Sequence, residues 1–199
     1  MRLAVLLSGR GSNFAAIHRA IADGKLDAEI VCVISNRGDA PGLMRARQLG
    51  LSAHLVDHRA FPTREAHEEE VLRIVAQAEP DFICLAGYMR LLSPAFIAAY
   101  PHRILNIHPS LLPAFPGVDA QAQAVAHGVK ISGCTVHFVD ENLDAGPIIV
   151  QRAAEVRDSD SGETLAARIL EHEHLAYVEA LQKLATRQWR IRGRRVIFD

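Results

Sequence analysis

LAVLLSGRGSN, residues 3–13, is an apolar run that empties into a turn carrying two glycines. The run shows no alternation, so both faces of the strand it forms must be covered, which is the pattern of an inner strand in a parallel sheet. Gly9 and Gly11 permit positive φ and close backbone approach. Ser12 or Asn13 is placed to cap a following helix, leaving backbone N–H groups and the positive end of the helix dipole facing outward. That chemistry suits a phosphate; the plain alternative is a tight strand-to-helix turn. Single residues exclude two familiar phosphate motifs. A dinucleotide fingerprint needs glycine where Phe14 stands and an acid where the second strand ends in Ser35 and Asn36. A P-loop needs Gly-Lys-Ser/Thr, which does not occur.

Working outward, EIVCVIS (29–35), SAHLV (52–56), DFICLAG (81–87) and RILNI (103–107) repeat the apolar, branched texture of the first run. Between them lie helical periods, as at 63–79, where Ala66, Val71, Ile74, Val75 and Ala78 recur at three-to-four spacing. Strands apolar on both faces and alternating with helices predict an α/β fold, a doubly wound, mostly parallel, Rossmann-like sheet. From Lys130 the texture changes. TVHFV (135–139) and PIIVQ (147–151) flank the polar stretch 140–146, a long strand-to-strand connection, and predict a more antiparallel C-terminal part. Asp160 and Glu163 have capping-box-like spacing ahead of a long C-terminal helix running to about Ala185. The expectation is a single domain over 1–199, with a phosphate-binding half of about 1–100 and a second half of about 101–199.

With 49% hydrophobic residues and a net charge of −1, the chain can bury a substantial core and is neither a dedicated nucleic-acid binder nor a membrane-surface protein. Basic residues cluster only in RIRGRR (190–195), read as a solvated tail, with phosphate binding as the lesser alternative. No apolar run is long enough to span a bilayer and the N-terminus enters a strand directly, so a cytoplasmic location is expected. Cys32, Cys84 and Cys134 each sit inside an apolar run without motif spacing, which predicts reduced, buried thiols. No HExxH occurs, and His172 and His174 fall on different faces of a helix, so no metal is expected.

Three further stretches carry polar groups or loops beyond strand ends. AGYMRLLSP (86–94) follows the fourth strand, and because ligands in open α/β sheets bind outside the carboxyl ends of strands, Gly11, Gly87 and His108 are expected on one rim. Met89, Leu91 and Leu92 form either a hydrophobic plug or an apolar slot for a flat ring. In NIHPSLLPAFPG (106–117), Asn106 and His108 are two apart on a strand and project together. An amide beside an imidazole suits a carbonyl oxygen that becomes negative during acyl transfer, where one donor is worth roughly 3 kcal/mol. Pro109, Pro113 and Pro116 fix the loop beyond. FVDENLDAGPI (138–148) then offers Asp140, Glu141, Asn142 and Asp144, and a carboxylate near His108 would favour the imidazolium and raise its pKa. No Gly-x-Ser-x-Gly elbow or Cys-His pairing is present, so a covalent acyl-enzyme is not expected.

LLSGRGSN, LAGYMRLLSP, LNIHPSLLPAFPG and SGCTVHFVDENLDAGPII, in that order, resemble the folate-dependent formyltransferases over nearly the whole chain. The chain is most similar to the members that formylate glycinamide ribonucleotide in de novo purine biosynthesis. Methionyl-tRNA formyltransferases carry an added C-terminal domain and typically lack the Pro109-Ser110 pair; formyltetrahydrofolate deformylases usually carry an N-terminal regulatory domain, whereas here the first strand begins at Arg2. The resemblance implies direct transfer from 10-formyltetrahydrofolate, with no metal, to the amine of glycinamide ribonucleotide. Its catalytic residues fall on Asn106, His108 and Asp144, the first two stabilising an oxyanion and Asp144 raising the pKa of His108. Its phosphate and substrate contacts fall on Gly11, Ser12, Asn13 and Glu173. Its folate contacts fall on Arg64, Met89, Arg90, Leu91, Leu92, Asn106, Asp140, Glu141, Asn142, Leu143 and Asp144, which favours the apolar-slot reading. The implied assembly is a monomer or homodimer. Hydrolysis of 10-formyltetrahydrofolate by the same residues is the nearest alternative, and a catalytically silent binding module is another. Residues 118–121 (VDAQ), Leu170 and Val178 depart from the family pattern, at peripheral positions.

Overall fold

The computed structural model describes residues 1–199. The chain divides into two compact units, Met1–Leu105 and Asn106–Asp199. The first unit contains β1 (Arg2–Leu7), α1 (Ser12–Ala22), β2 (Glu29–Ser35), α2 (Pro41–Gln48), β3 (Ala53–Leu55), a 3-10 turn at His58–Ala60, α3 (Arg64–Ala78), β4 (Phe82–Leu85) and α4 (Pro94–Ala99). β5 (Ile104–His108) starts in this unit and ends in the next. The strand order is β3-β2-β1-β4, and every pairing is parallel. The chain reverses direction of travel at β1, as expected of a doubly wound sheet.

Leu3 to Leu7 are fully buried, as an inner strand requires. The turn that follows is set by glycine packing on glycine. Gly11 holds φ 68 at the N-cap of α1, a Cβ on it would come 2.9 Å from the Gly42 Cα, and the Gly42 N–H donates to the Gly9 carbonyl at 3.0 Å. α2 can therefore approach the β1–α1 turn only because both positions lack a side chain. This corrects the expected cap: Ser12 and Asn13 are the first helical residues of α1, and no side chain caps it. α3 is capped as its sequence suggests, Thr63 accepting from the Ala66 N–H at 3.1 Å. Its buried face holds Val71, Ile74 and Val75 together with two polar residues, His67 and Glu68.

In the second unit, β6 (Ile131–Phe138) and β7 (Ile148–Glu155) run antiparallel, joined by the polar connection, with Thr135 opposite Gln151. α5 (Ala120–Ala126) and α6 (Gly162–Thr186) pack on each other, and α6 covers β6 and β7 with Leu165, Ile169, Ala176, Leu181 and Leu184 buried. Two expectations need correction. The cap of α6 is Ser161 in a reciprocal box with Thr164, one residue later than the Asp160–Glu163 reading. Asp160 instead accepts from the Arg168 guanidinium at 2.6 and 2.9 Å and from the Thr164 hydroxyl. The arginines of RIRGRR are exposed, as expected, but the segment is not a tail. It forms a hairpin, β8 (Trp189–Arg192) and β9 (Arg195–Phe198), turning at Gly193 with φ 59. The strand order here is β6-β7-β9-β8, and Trp189 stacks obliquely on Phe138 at 5.3 Å between centroids.

The three cysteines are free and buried, and burial pushes the Cys32 thiol up to about 11 and the Cys134 thiol up to about 12. No helix is long and apolar enough to cross a membrane. No group of three or more His, Cys, Asp or Glu side chains is placed to hold a metal ion.

His67, His137 and His174 are all driven below the ordinary histidine value, chiefly by burial. A group held neutral in the folded chain but free to protonate when unfolded contributes stability above its unfolded pKa, about 6.5 for histidine, and that contribution is lost as pH falls. The urea midpoint should therefore drop steadily as pH is lowered from neutrality toward about 5, above the range where carboxylates titrate. His67→Gln should flatten that slope. A pH slope in His67→Gln equal to that of the wild type contradicts the assignment for His67.

Candidate active site

β5 delivers Asn106 and His108 on one face, the first half-buried and the second 4% exposed. The chain then leaves the strand as residues 109–117, a loop anchored by its own backbone groups. Thr135 of β6 fastens it: the Thr135 hydroxyl donates to the Ser110 carbonyl at 2.7 Å and accepts from the Leu112 N–H at 3.0 Å. Gln151 of β7 donates to the Leu112 carbonyl at 2.8 Å. The loop curls back so that the Phe115 carbonyl lies 2.8 Å from His108 Nε2. A carbonyl only accepts, so Nε2 carries a proton and donates.

The other ring nitrogen faces a carboxylate. His108 Nδ1 is 3.3 Å from Asp144 Oδ2, with both side chains less than a tenth exposed. The same oxygen accepts the Gly117 N–H at 2.8 Å, so the loop and the carboxylate hold each other. An imidazolium donates through both nitrogens and satisfies both acceptors, Phe115 O and Asp144 Oδ2. Asp144 reaches this place with φ 49, in the left-handed region that costs an ordinary residue about 1 kcal/mol or more. Two residues on, Gly146 is packed so tightly that a Cβ would lie 1.9 Å from the Phe138 carbonyl oxygen. The end of β6 thus fixes where the 140–144 loop returns.

Asn106 has its own partner. Its Nδ2 is 3.3 Å from Nε2 of His137, whose Nδ1 is 2.9 Å from the Phe138 carbonyl. The sequence places His137 and Thr135 only within the strand run 135–139. Their signal was there, since two polar residues two apart on a strand share a face, but an isolated histidine between valine and phenylalanine reads as packing.

The other expected positions fall as follows. In the 140–144 loop, Glu141, Asn142 and Leu143 are exposed, and Asp140 accepts from the Asn142 N–H at 2.9 Å. Glu173 lies on the buried face of α6, 9% exposed, where its charge helps hold the Cys134 thiol protonated. In the first unit, Gly11, Ser12 and Asn13 form the start of α1. Met89 and Leu91 are 80% and 65% exposed, which removes the hydrophobic-plug reading of the segment after β4, while Arg90 and Leu92 are half-buried. That segment is held at its start by the Ser8 hydroxyl, which accepts from the Met89 N–H at 2.8 Å. At its end Glu68 accepts from the Ser93 N–H at 3.0 Å. Arg64 opens α3, exposed, 3.5 Å from Glu65.

Residues 1–181 match the family described as formyl transferase. The chain belongs to the formyl transferase family. Among curated relatives it is 48% identical over 187 residues to the trifunctional purine biosynthetic protein adenosine-3 of Drosophila pseudoobscura pseudoobscura, covering 93% of this chain and 14% of that protein. The chain therefore spans a small part of the length of that relative. It is also 44% identical over 177 residues to phosphoribosylglycinamide formyltransferase of Escherichia coli (strain K12), covering 89% of this chain and 84% of the relative. The crystal structure of glycinamide ribonucleotide transformylase 1 from Symbiobacterium toebii superposes with a TM-score of 0.96 at 47% identity, covering 100% of this chain and 93% of that one.

For this formyl transferase the packing of Gly146 makes a direct prediction. Gly146→Ala must displace either the 140–144 loop or the end of β6, a steric conflict of the kind that costs about 1–3 kcal/mol. The urea midpoint should fall, and the amide hydrogen of Gly117 should exchange faster because its acceptor, Asp144, moves. Unchanged exchange at Gly117 would show that Gly146 does not set the position of Asp144.

Proposed function

We propose that this formyl transferase moves the formyl group of 10-formyltetrahydrofolate to the free amine of glycinamide ribonucleotide in purine biosynthesis, in the cytoplasm and without a metal. The observation that carries the reading is the placement of Asn106 and His108 two residues apart on one face of β5, with the Asp144 carboxylate 3.3 Å from the His108 ring. The likeness over most of the length of bacterial proteins named for this reaction supports the choice of acceptor.

The amine nitrogen attacks the formyl carbon, forming a C–N bond while the carbonyl electrons move to oxygen. The resulting oxyanion meets the Asn106 amide, which has a second N–H beyond the one directed at His137. His108 contributes positive charge rather than a direct hydrogen bond, because both of its nitrogens already face acceptors. Fixed donors and charges of this kind, aimed at developing charge in a site shielded from water, supply the largest share of many rate enhancements. Collapse of the intermediate breaks the bond to the folate nitrogen, which takes the proton lost by the amine. Asp144 keeps the charge on His108 paired, and the carboxylate and ring together hold the water that relays that proton.

The start of α1 at Gly11, Ser12 and Asn13 takes the substrate phosphate, since no side chain caps it and no acid stands in its first turn. Glu173 contacts the substrate. The exposed Met89 and Leu91, with Arg90, Leu92 and Arg64, contact the folate, as do residues 140–144.

The test is to incubate the purified protein with 10-formyltetrahydrofolate, with and without glycinamide ribonucleotide, and to measure formylated ribonucleotide against formate. The expected result is formylated ribonucleotide in the complete mixture and little formate in either. Asn106→Ala should lower kcat by about 10²–10³, the cost of removing one oxyanion donor. His108→Ala and Asp144→Asn should each lower it substantially. Formate as the main product would make the protein a hydrolase, and near-normal turnover in both of the last two variants would remove the catalytic assignment.

A further inference from the structure

His137 has no part in the reaction as written above, yet it is 2% exposed and forms two directed contacts. Its Nδ1 lies 2.9 Å from the Phe138 carbonyl oxygen, and because that oxygen can only accept, Nδ1 carries a proton. Burial disfavours the charged ring, outweighing the opposite pull of Asp144 and Asp140, while His108 pushes the same way as burial. The neutral ring with Nδ1 protonated has only a lone pair at Nε2. That lone pair faces Asn106 Nδ2 at 3.3 Å, so the amide nitrogen must be the donor there. Asp144 Oδ1, at 3.8 Å from Nε2, is also an acceptor and cannot replace it.

An asparagine amide is nearly the same shape when its nitrogen and oxygen are exchanged, so its partners decide which end points where. Were Asn106 flipped, Oδ1 would face the Nε2 lone pair, two acceptors in contact. The flip would also turn the catalytic amide from donor to acceptor toward a forming oxyanion.

We propose that His137 is a positioning residue for formyl transfer: as a neutral acceptor it holds the Asn106 amide in the one orientation that presents an N–H to the formyl oxygen. The proposal rests on the role of Asn106 as oxyanion donor. His137 itself touches neither substrate nor reacting atoms; it acts through Asn106.

The test compares kcat and KM for the wild type, His137→Leu, His137→Gln, Asn106→Ala and the Asn106→Ala/His137→Leu double variant. His137→Leu should lower kcat about tenfold or more, a part of the roughly 10²–10³ attached to an oxyanion donor, with KM little changed. His137→Gln, whose Oε1 can accept in place of Nε2, should recover most of that loss. In the Asn106→Ala background, His137→Leu should change kcat by less than about twofold, because residues acting through one contact are not additive. Equal factors in both backgrounds, or no recovery with glutamine, overturn the proposal while leaving the role of Asn106 intact. Full turnover in Asn106→Ala overturns that role and the proposal together. Long-range proton–nitrogen NMR of the unsubstituted protein near neutral pH reads the ring without any variant having to fold: Nδ1–H supports the proposal, and Nε2–H or a charged ring overturns it.

Discussion

A single carboxylate oxygen, Asp144 Oδ2, ties together the two loops of the candidate site. It accepts the Gly117 N–H and faces His108 Nδ1, so the loop after β5 and the loop between β6 and β7 each depend on the other for their shape. Neither loop has regular structure of its own to define it. A buried carboxylate needs such partners, since leaving it unpaired away from water costs several kcal/mol. The left-handed backbone at Asp144 is tolerated because the surroundings over-determine it, through Gly146 pressed against the Phe138 carbonyl on one side and the Gly117 contact on the other.

The scaffold follows from the same economy of contacts. β6 and β7 run antiparallel, and their connection carries Asp144 back to His108 and Gly117. Thr135 and His137 project from β6 to fasten, respectively, the loop backbone and the Asn106 amide. In the first unit the corresponding device is steric, with Gly11 and Gly42 letting two helices meet above the end of β1. Polar side chains then hold the exposed apolar segment after β4 at both ends, through Ser8 and Glu68.

Much of this was legible because it depends on periodicity and local chemistry. β2 spans the residues its apolar run predicts, and α3 begins and ends where Thr63 and the segment before Pro80 suggest. Asn106 and His108 could be placed on one face by strand geometry alone. What could not be read depends on contacts across the sequence. Gly11 rather than Ser12 or Asn13 caps α1 because Gly42, thirty-one positions on, occupies the space a side chain would need. Asp160 looked like a cap until Arg168 claimed its carboxylate. The arginines of RIRGRR hid a hairpin in which Trp189 and Ile191, with Phe198 and Val196 opposite them, share one face and alternate with Arg190 and Arg192, a pattern masked by the density of arginine. His137 looked like core packing because the residue it serves lies in another strand.

Asp144 and His108 are proposed to work as one unit. The most direct measurement is the rate of a single turnover of formyl transfer in the wild type, His108→Ala, Asp144→Ala and the double variant. If the carboxylate acts through the ring, removing it after the ring is gone should change the rate by only a few-fold, far less than removing it from the wild type. If instead the two losses multiply in the double variant, the carboxylate and the ring act independently, and the pairing at the centre of this account is incidental to catalysis.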